Sequence, residues 1–122
     1  MRNFRDLHIW QKVMEIVREV YTLTPLLPDE EKYGLKSQIQ RAAVSIPSNV
    51  AEGCSRDSER DFKWFLHIAI GSAYELETQL TISQQLDLIP KDKVESILFL
   101  LSEEQKMINS FISAIKTRRA DA

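Results

Sequence analysis

The sequence predicts an all-α protein, an antiparallel up-down four-helix bundle, on three observations. Glycine and proline are scarce, three and four in 122 residues, so the chain has few breaks and must consist of long regular elements. Apolar residues recur along four stretches with a helical period of about 100° per residue. No stretch sustains the alternation of a half-buried strand. Short links between the stretches make successive helices antiparallel neighbours. The length suits a single domain over residues 1–122, because domains are most often about 100 to 150 residues long.

Helix one is expected over about residues 7–24, with Asp6 as its N-cap and Pro25 as its stop. A turn-rich connector, Pro25-Leu26-Leu27-Pro28-Asp29, follows it. Helix two is expected over about residues 35–54. Pro47 lies inside it, where a proline removes one hydrogen bond and crowds the carbonyl of Ala43, so the helix should bend there. Helix three, about residues 58–86, opens on Ser58 with Asp61 three residues later, the pattern of a capping box, and Glu59 and Asp61 suit the positive end of its dipole. Helix four runs over about residues 91–118, and Pro90 stands where the first helical N–H has no acceptor to lose.

Two helices carry more apolar surface than one bundle face uses. Helix one has Leu7, Trp10, Met14, Val17 and Tyr21 on one stripe and Ile9, Val13, Ile16, Val20 and Leu23 beside it. Together they span about 200° of the wheel, where a surface helix shows a band of about 100°. Helix four presents Val94, Ile97, Leu98, Leu101, Ile108, Ile112 and Ile115, with Leu100, Met107 and Ala114 recurring at heptad spacing next to them. Two extra stripes in a small bundle predict contact between copies of the chain. Ile9, Ile16, Leu100 and Met107 are the candidates for it.

Helix two pairs a core face of Leu35, Ile39, Ala42, Ala43, Ile46 and Val50 with an opposite face of Gln38, Arg41, Ser45, Ser48 and Glu52, Asn49 standing beside it. A merely solvated helix face usually carries Lys and Glu, whereas Ser, Asn and Gln weaken a helix interior by competing for backbone hydrogen bonds. Glu75 falls on a helix-three stripe of Trp64, Ile68, Gly71, Ile82 and Leu86, and Glu104 falls among the apolar residues of helix four. A carboxylate desolvated without a partner loses its charge or destabilises the fold. Arg41 is expected to pair with Glu75 or Glu52, within one copy or across an interface, because its planar fork binds a carboxylate through two bonds. The candidate binding or interface group is therefore Gln38, Arg41, Ser45, Asn49, Glu52 and Glu75.

The run Gln38-Ile39-Gln40-Arg41-Ala42-Ala43-Val44-Ser45-Ile46-Pro47-Ser48-Asn49-Val50-Ala51-Glu52-Gly53, then Gly71-Ser72-Ala73-Tyr74-Glu75-Leu76, resembles the bacterial four-helix bundle family encoded by intervening sequences of large-subunit ribosomal RNA. The opening Leu7-His8-Ile9-Trp10-Gln11-Lys12 fits the usual start of that family. The resemblance implies an antiparallel bundle assembled as a ring-like homopentamer. It also implies kinship with the accessory protein of diversity-generating retroelements, which binds nucleic acid and a reverse transcriptase. Relatives with a nucleic-acid role are strongly basic, and this chain departs from them. Its net charge is −2, and Arg56, Arg60 and Lys63 alternate with Asp57, Glu59 and Asp61. Only the tail, Lys116, Arg118 and Arg119, is locally positive.

Chemistry-bearing patterns are sparse. A di-iron bundle draws on Glu-x-x-His pairs, but Arg5 precedes His8 and Trp64 precedes His67 at that spacing. Two distant histidines and the single Cys54 lack zinc-ligand spacing, and no glycine-rich phosphate loop occurs. His67 reads as a surface residue on the Lys63 side of helix three. The serines of helix two have no histidine nearby in sequence to act as base, so no catalytic residue is assigned. No cofactor or metal is expected. One cysteine, no apolar run of about 18 residues and no leader-like h-region point to the cytoplasm and away from a membrane. The expected function is a non-enzymatic homo-oligomeric scaffold or adaptor, with a nucleic-acid-binding accessory protein as the alternative.

Overall fold

The computed structural model describes the backbone of residues 2–121 and the side chains of residues 2–115. Four helices account for its architecture: α1 (His8–Leu23), α2 (Leu35–Cys54), α3 (Glu59–Gln85) and α4 (Lys91–Asp121). Around the bundle α1 touches α2, α2 touches α3, α3 touches α4 and α4 returns to α1. Sequence neighbours are thus spatial neighbours, as short links require, and the helices alternate in direction. Among the described residues no helix is long and apolar enough to cross a membrane.

Each helix begins and ends for a local reason. The expected cap at Asp6 is corrected: Phe4–Asp6 forms its own short 3-10 turn, capped by Asn3 Oδ1 accepting from Arg5 N at 3.1 Å, and α1 starts after Leu7 without a side-chain cap. Phe4 holds that turn down by packing edge-on against Trp10, ring centroids 5.2 Å apart. Ser58 caps α3 as expected, its Oγ accepting from Asp61 N at 3.0 Å. At the other end Asp87 takes a left-handed conformation, φ 56°, and Leu88 N donates to Ser83 O at 2.9 Å, closing α3 in a tight reversal. Pro47 is buried within α2, and the helix runs on through it to Cys54.

The core takes one face of every helix. Ile9, Val13, Ile16, Val20 and Leu23 of α1 meet Ile39, Ala43, Ile46 and Val50 of α2, all buried. From α3 it takes Phe62, Leu66, Ala69, Ala73, Leu76 and Leu80, and from α4 Val94, Ile97, Leu101, Ile108, Ile112 and Ile115. Full burial of each Val, Leu, Ile or Phe among these stabilises by about 1.5 to 3 kcal/mol. Helices α2 and α3 approach closely where they meet end to end: a Cβ on Gly53 would stand 2.9 Å from Phe62 Cδ1 and 2.9 Å from Phe65 Cβ. Only glycine fits there.

Two expected placements change. Ile9 and Ile16 are 3% and 0% exposed in the chain's own core, so Ile16 has no surface left for another copy and Ile9 keeps only a sliver. Leu100 and Met107 are half-buried at the core's edge. The second correction concerns α3, whose stripe of Trp64, Ile68, Gly71, Glu75, Ile82 and Leu86 faces outward. Its buried face lies about 200° away at Phe62, Leu66, Ala69 and Ala73, two residues earlier at each turn.

Candidate functional site: a polar groove between α2 and α3

The most extensively packed pair of helices is α2 and α3, and a groove of about 820 Å³ runs along their outer edge. It exists because small side chains, Ala42, Ser45 and Ser72, line its floor. Gln38 and Arg41 stand on the α2 bank, and Glu75, Thr78, Gln79 and Ile82 on the α3 bank. Four of the six expected residues, Gln38, Arg41, Ser45 and Glu75, therefore share one concavity.

The other two serve neighbouring structure. Asn49 Nδ2 donates to Ser45 O at 2.8 Å and to Ser45 Oγ at 3.0 Å, while Ser45 Oγ and Ser72 Oγ lie 2.8 Å apart. This chain of bonds ties α2 to α3 across the groove floor and fixes the rotamers of its hydroxyls. Glu52 is paired with Arg56 one turn along, Arg56 Nη2 to Glu52 Oε1 at 2.7 Å. The expected bond from Arg41 to Glu52 is corrected accordingly: Arg56 reaches Glu52 from the same helix. Nor does Arg41 meet Glu75, for among the described residues neither forms an ion pair or a side-chain hydrogen bond. Both are exposed. A cation and an anion thus stand in one groove, each solvated rather than spent on the fold.

Gln79 adds a third unspent polar group. Its residue is 8% exposed, and its Oε1 is buried without a hydrogen-bond partner. An orphaned amide oxygen costs about 1 to 3 kcal/mol. Sequence reasoning missed Gln79, Ser72 and Thr78, because each lies about 30 residues from its α2 neighbour and only the helix pairing brings them together. The signal in the sequence was a row of polar residues on α3 at helical spacing, Ser72, Glu75 and Gln79.

Apolar residues are exposed on the α3 side of the groove. Trp64, Ile82 and Leu86 are 60%, 40% and 63% exposed along α3. Gly71 lies in the same stripe with nothing within 4 Å of where its Cβ would be. A glycine inside a helix costs about 1 kcal/mol against alanine, and no packing within the chain explains this one. At the start of α3, Arg60, Lys63 and His67 flank Trp64, with Asp61 among them. The side chains of Lys116, Arg118 and Arg119 lie outside the described residues.

A different acid is desolvated. Glu104 on α4 is 0% exposed, and neither carboxyl oxygen has a hydrogen-bond partner. Burial pushes its pKa up to about 8, against a smaller opposing pull from Lys12, whose Nζ also pairs with Glu103 Oε1 at 2.7 Å. Burial likewise raises the Cys54 thiol, against a smaller opposing pull from Arg2.

The family model for the 23S rRNA-intervening sequence protein matches residues 5–110. The chain belongs to that family. Among solved structures, it is similar to a protein of unknown function from the S23 ribosomal protein family of Bacteroides thetaiotaomicron. Identity is 28%, the TM-score is 0.79, and the match covers 85% of this chain and 97% of that one. No curated protein matches the chain. Family membership accords with the resemblance seen in the α2 run and with the four-helix architecture.

Proposed function

We propose that this member of the intervening-sequence family is a non-enzymatic, self-associating helical-bundle scaffold or adaptor, with the outer face of α2 and α3 as its contact surface. One observation carries this reading: Ile82 and Leu86, one turn apart, and Trp64 farther along the same outward face of α3 stand in water beside a groove whose charges have no partner among the described residues. Apolar surface gathered in a rimmed patch marks an interaction site, whereas singly scattered apolar residues do not. Arg41 and Glu75 supply the specificity, since an approaching surface must offer each the opposite charge. The number of copies proposed is five, in a ring, as the family likeness implies. A buried free thiol fits a reducing compartment, and the cytoplasm is the proposed location.

Light scattering on a size-exclusion column at micromolar concentration tests the reading. A mass that is a multiple of the 14.1 kDa chain is expected, and Ile82→Glu should lower it. A wild-type protein eluting as one chain would overturn it.

The surroundings of Trp64 favour a second reading. An exposed indole flanked by Arg60, Lys63 and His67 can stack an unpaired base while the cations meet phosphates, an arrangement used by single-strand binders. Asp61 and the net charge of −2 oppose it. Binding of single-stranded RNA that weakens steeply with added salt and disappears in Trp64→Ala would establish this function.

A further inference from the structure

We infer that the contact between copies joins two different faces, the Trp64 corner of α3 on one copy entering the groove between α1 and α4 on the next. The inference rests on the self-association reading and names the surface that answers the α3 stripe.

The receiving groove holds about 500 Å³ on the far side of the bundle, since α1 and α4 form the edge opposite α2 and α3. Leu7, Ile9, Met107 and Phe111 make its walls apolar, and Asp6 and Lys106 stand at its rim. An indole needs such a place: large, apolar and open to one side. The charges match as well. Arg60 and Lys63 beside Trp64 answer Asp6, and Asp61 answers Lys106. The α2/α3 groove is a poor receiver for the same ring, because Arg41, Glu75 and the orphaned Gln79 would be covered by carbon.

Height along the bundle makes the contact geometrically consistent. Phe62, two residues before Trp64, packs edge-on against Phe111 of the groove with centroids 5.6 Å apart. Arg2 lies over the Phe62 ring at 4.3 Å and pairs with Glu59 at 2.8 Å, which brings the segment leading into α1 to the same level. Knob and groove are therefore level. A contact between unlike faces propagates from copy to copy, climbing as a filament if each step shifts along the axis and closing if it does not. Trp64 points outward from α3, on the side of the helix nearly opposite Phe62.

Two variants at exposed positions test this without touching the core. Trp64→Ala removes the knob and keeps the groove; Ser110→Arg, on the groove's lining, blocks the groove and keeps the knob. Each alone should fall to the mass of one chain by light scattering, and an equimolar mixture should recover a species of twice that mass and no larger. Only a contact between unlike faces gives that result, since one intact knob and one intact groove remain per pair. Either variant retaining the wild-type mass, or a mixture that stays at one chain, would overturn the inference. If the wild type assembles and both variants do too, self-association stands and this seat falls. If the wild type is itself a single chain, both fall. Trp64→Ala that keeps its mass but loses single-stranded RNA also overturns the seat and assigns Trp64 to nucleic acid.

Discussion

Glu104 is sealed inside the bundle with neither oxygen hydrogen-bonded, while Arg41 and Glu75 stand in the open groove of α2 and α3 with no partner of opposite charge. In all three cases an ionisable side chain lacks a partner of opposite charge, yet the consequences differ. Burial charges the cost of Glu104 to the folded single chain, where desolvation holds the carboxyl neutral. The groove residues keep their hydration, so they cost nothing until another surface covers them. Changes at the first region should alter stability and its pH dependence. Changes at the second should alter what the protein binds.

The largest effect belongs to Glu104. Its pKa is about 8 in the folded chain against an ordinary value of 4.5, so between those values the folded chain holds a proton that the unfolded chain has released. Stability is then full below about pH 4.5, falls as pH rises through the window by about 1.4 kcal/mol per unit, and levels off above about pH 8. Replacing the acid with leucine removes the slope and raises stability at neutral pH by on the order of 3 kcal/mol. Urea unfolding of wild type and Glu104→Leu from pH 4 to 9 measures both. A wild-type slope that survives in the variant would show that another group is responsible.

Next in size is Gly53, which sharpens the contrast from the packed side of the α2/α3 edge. The alanine methyl would meet Phe62 and Phe65 at 2.9 Å, so Gly53→Ala should destabilise by about 1 to 3 kcal/mol through overpacking. Gly71 predicts the opposite sign on the same pair of helices. Its Cβ would meet nothing, and Gly71→Ala should stabilise the single chain by about 1 kcal/mol, a rise of about 4 °C in Tm. If copies cross at this point, the same methyl weakens assembly. A variant that melts higher and assembles less would separate the two roles; equal or stronger assembly would move the contact away from Gly71.

Much of this was legible in the residues. Helical periodicity and the scarcity of glycine and proline located all four helices to within a residue or so of their observed starts, and Ser58 marked the α3 cap because its partner is local. Glu104 could be seen as a buried acid, since apolar residues surround it on every helical neighbour position. Glu75 could not be told from it. Both sit in apolar stripes, and only the packing of α3 reveals that its stripe of Trp64, Ile68 and Ile82 faces water while Phe62, Leu66 and Ala73 face the core. The same ambiguity misplaced Ile9 and Ile16. A helix with two apolar stripes does not say which one its own core takes. Ser45–Ser72 and the orphaned Gln79 depend on pairing between helices, which no local spacing encodes.

Arg41 gives the smallest effect on the fold and the sharpest test of the comparison. The side chain is exposed and makes no ion pair among the described residues, so Arg41→Ala should change the stability of the single chain by less than about 0.5 kcal/mol. Arg41→Glu should change it equally little, because Glu75 and the substituted acid would both remain hydrated. Association is where they should differ. If the groove becomes covered when copies meet, alanine leaves the opposing group without its counterion, and glutamate adds repulsion against it. Assembly measured at a series of dilutions should therefore weaken from wild type to Arg41→Ala to Arg41→Glu, and added salt should narrow the spread. Unchanged melting with that graded loss would place the function of Arg41 outside the fold. A lowered melting temperature in a dilute, single-chain sample would instead make it a structural residue, and the contrast with Glu104 would collapse.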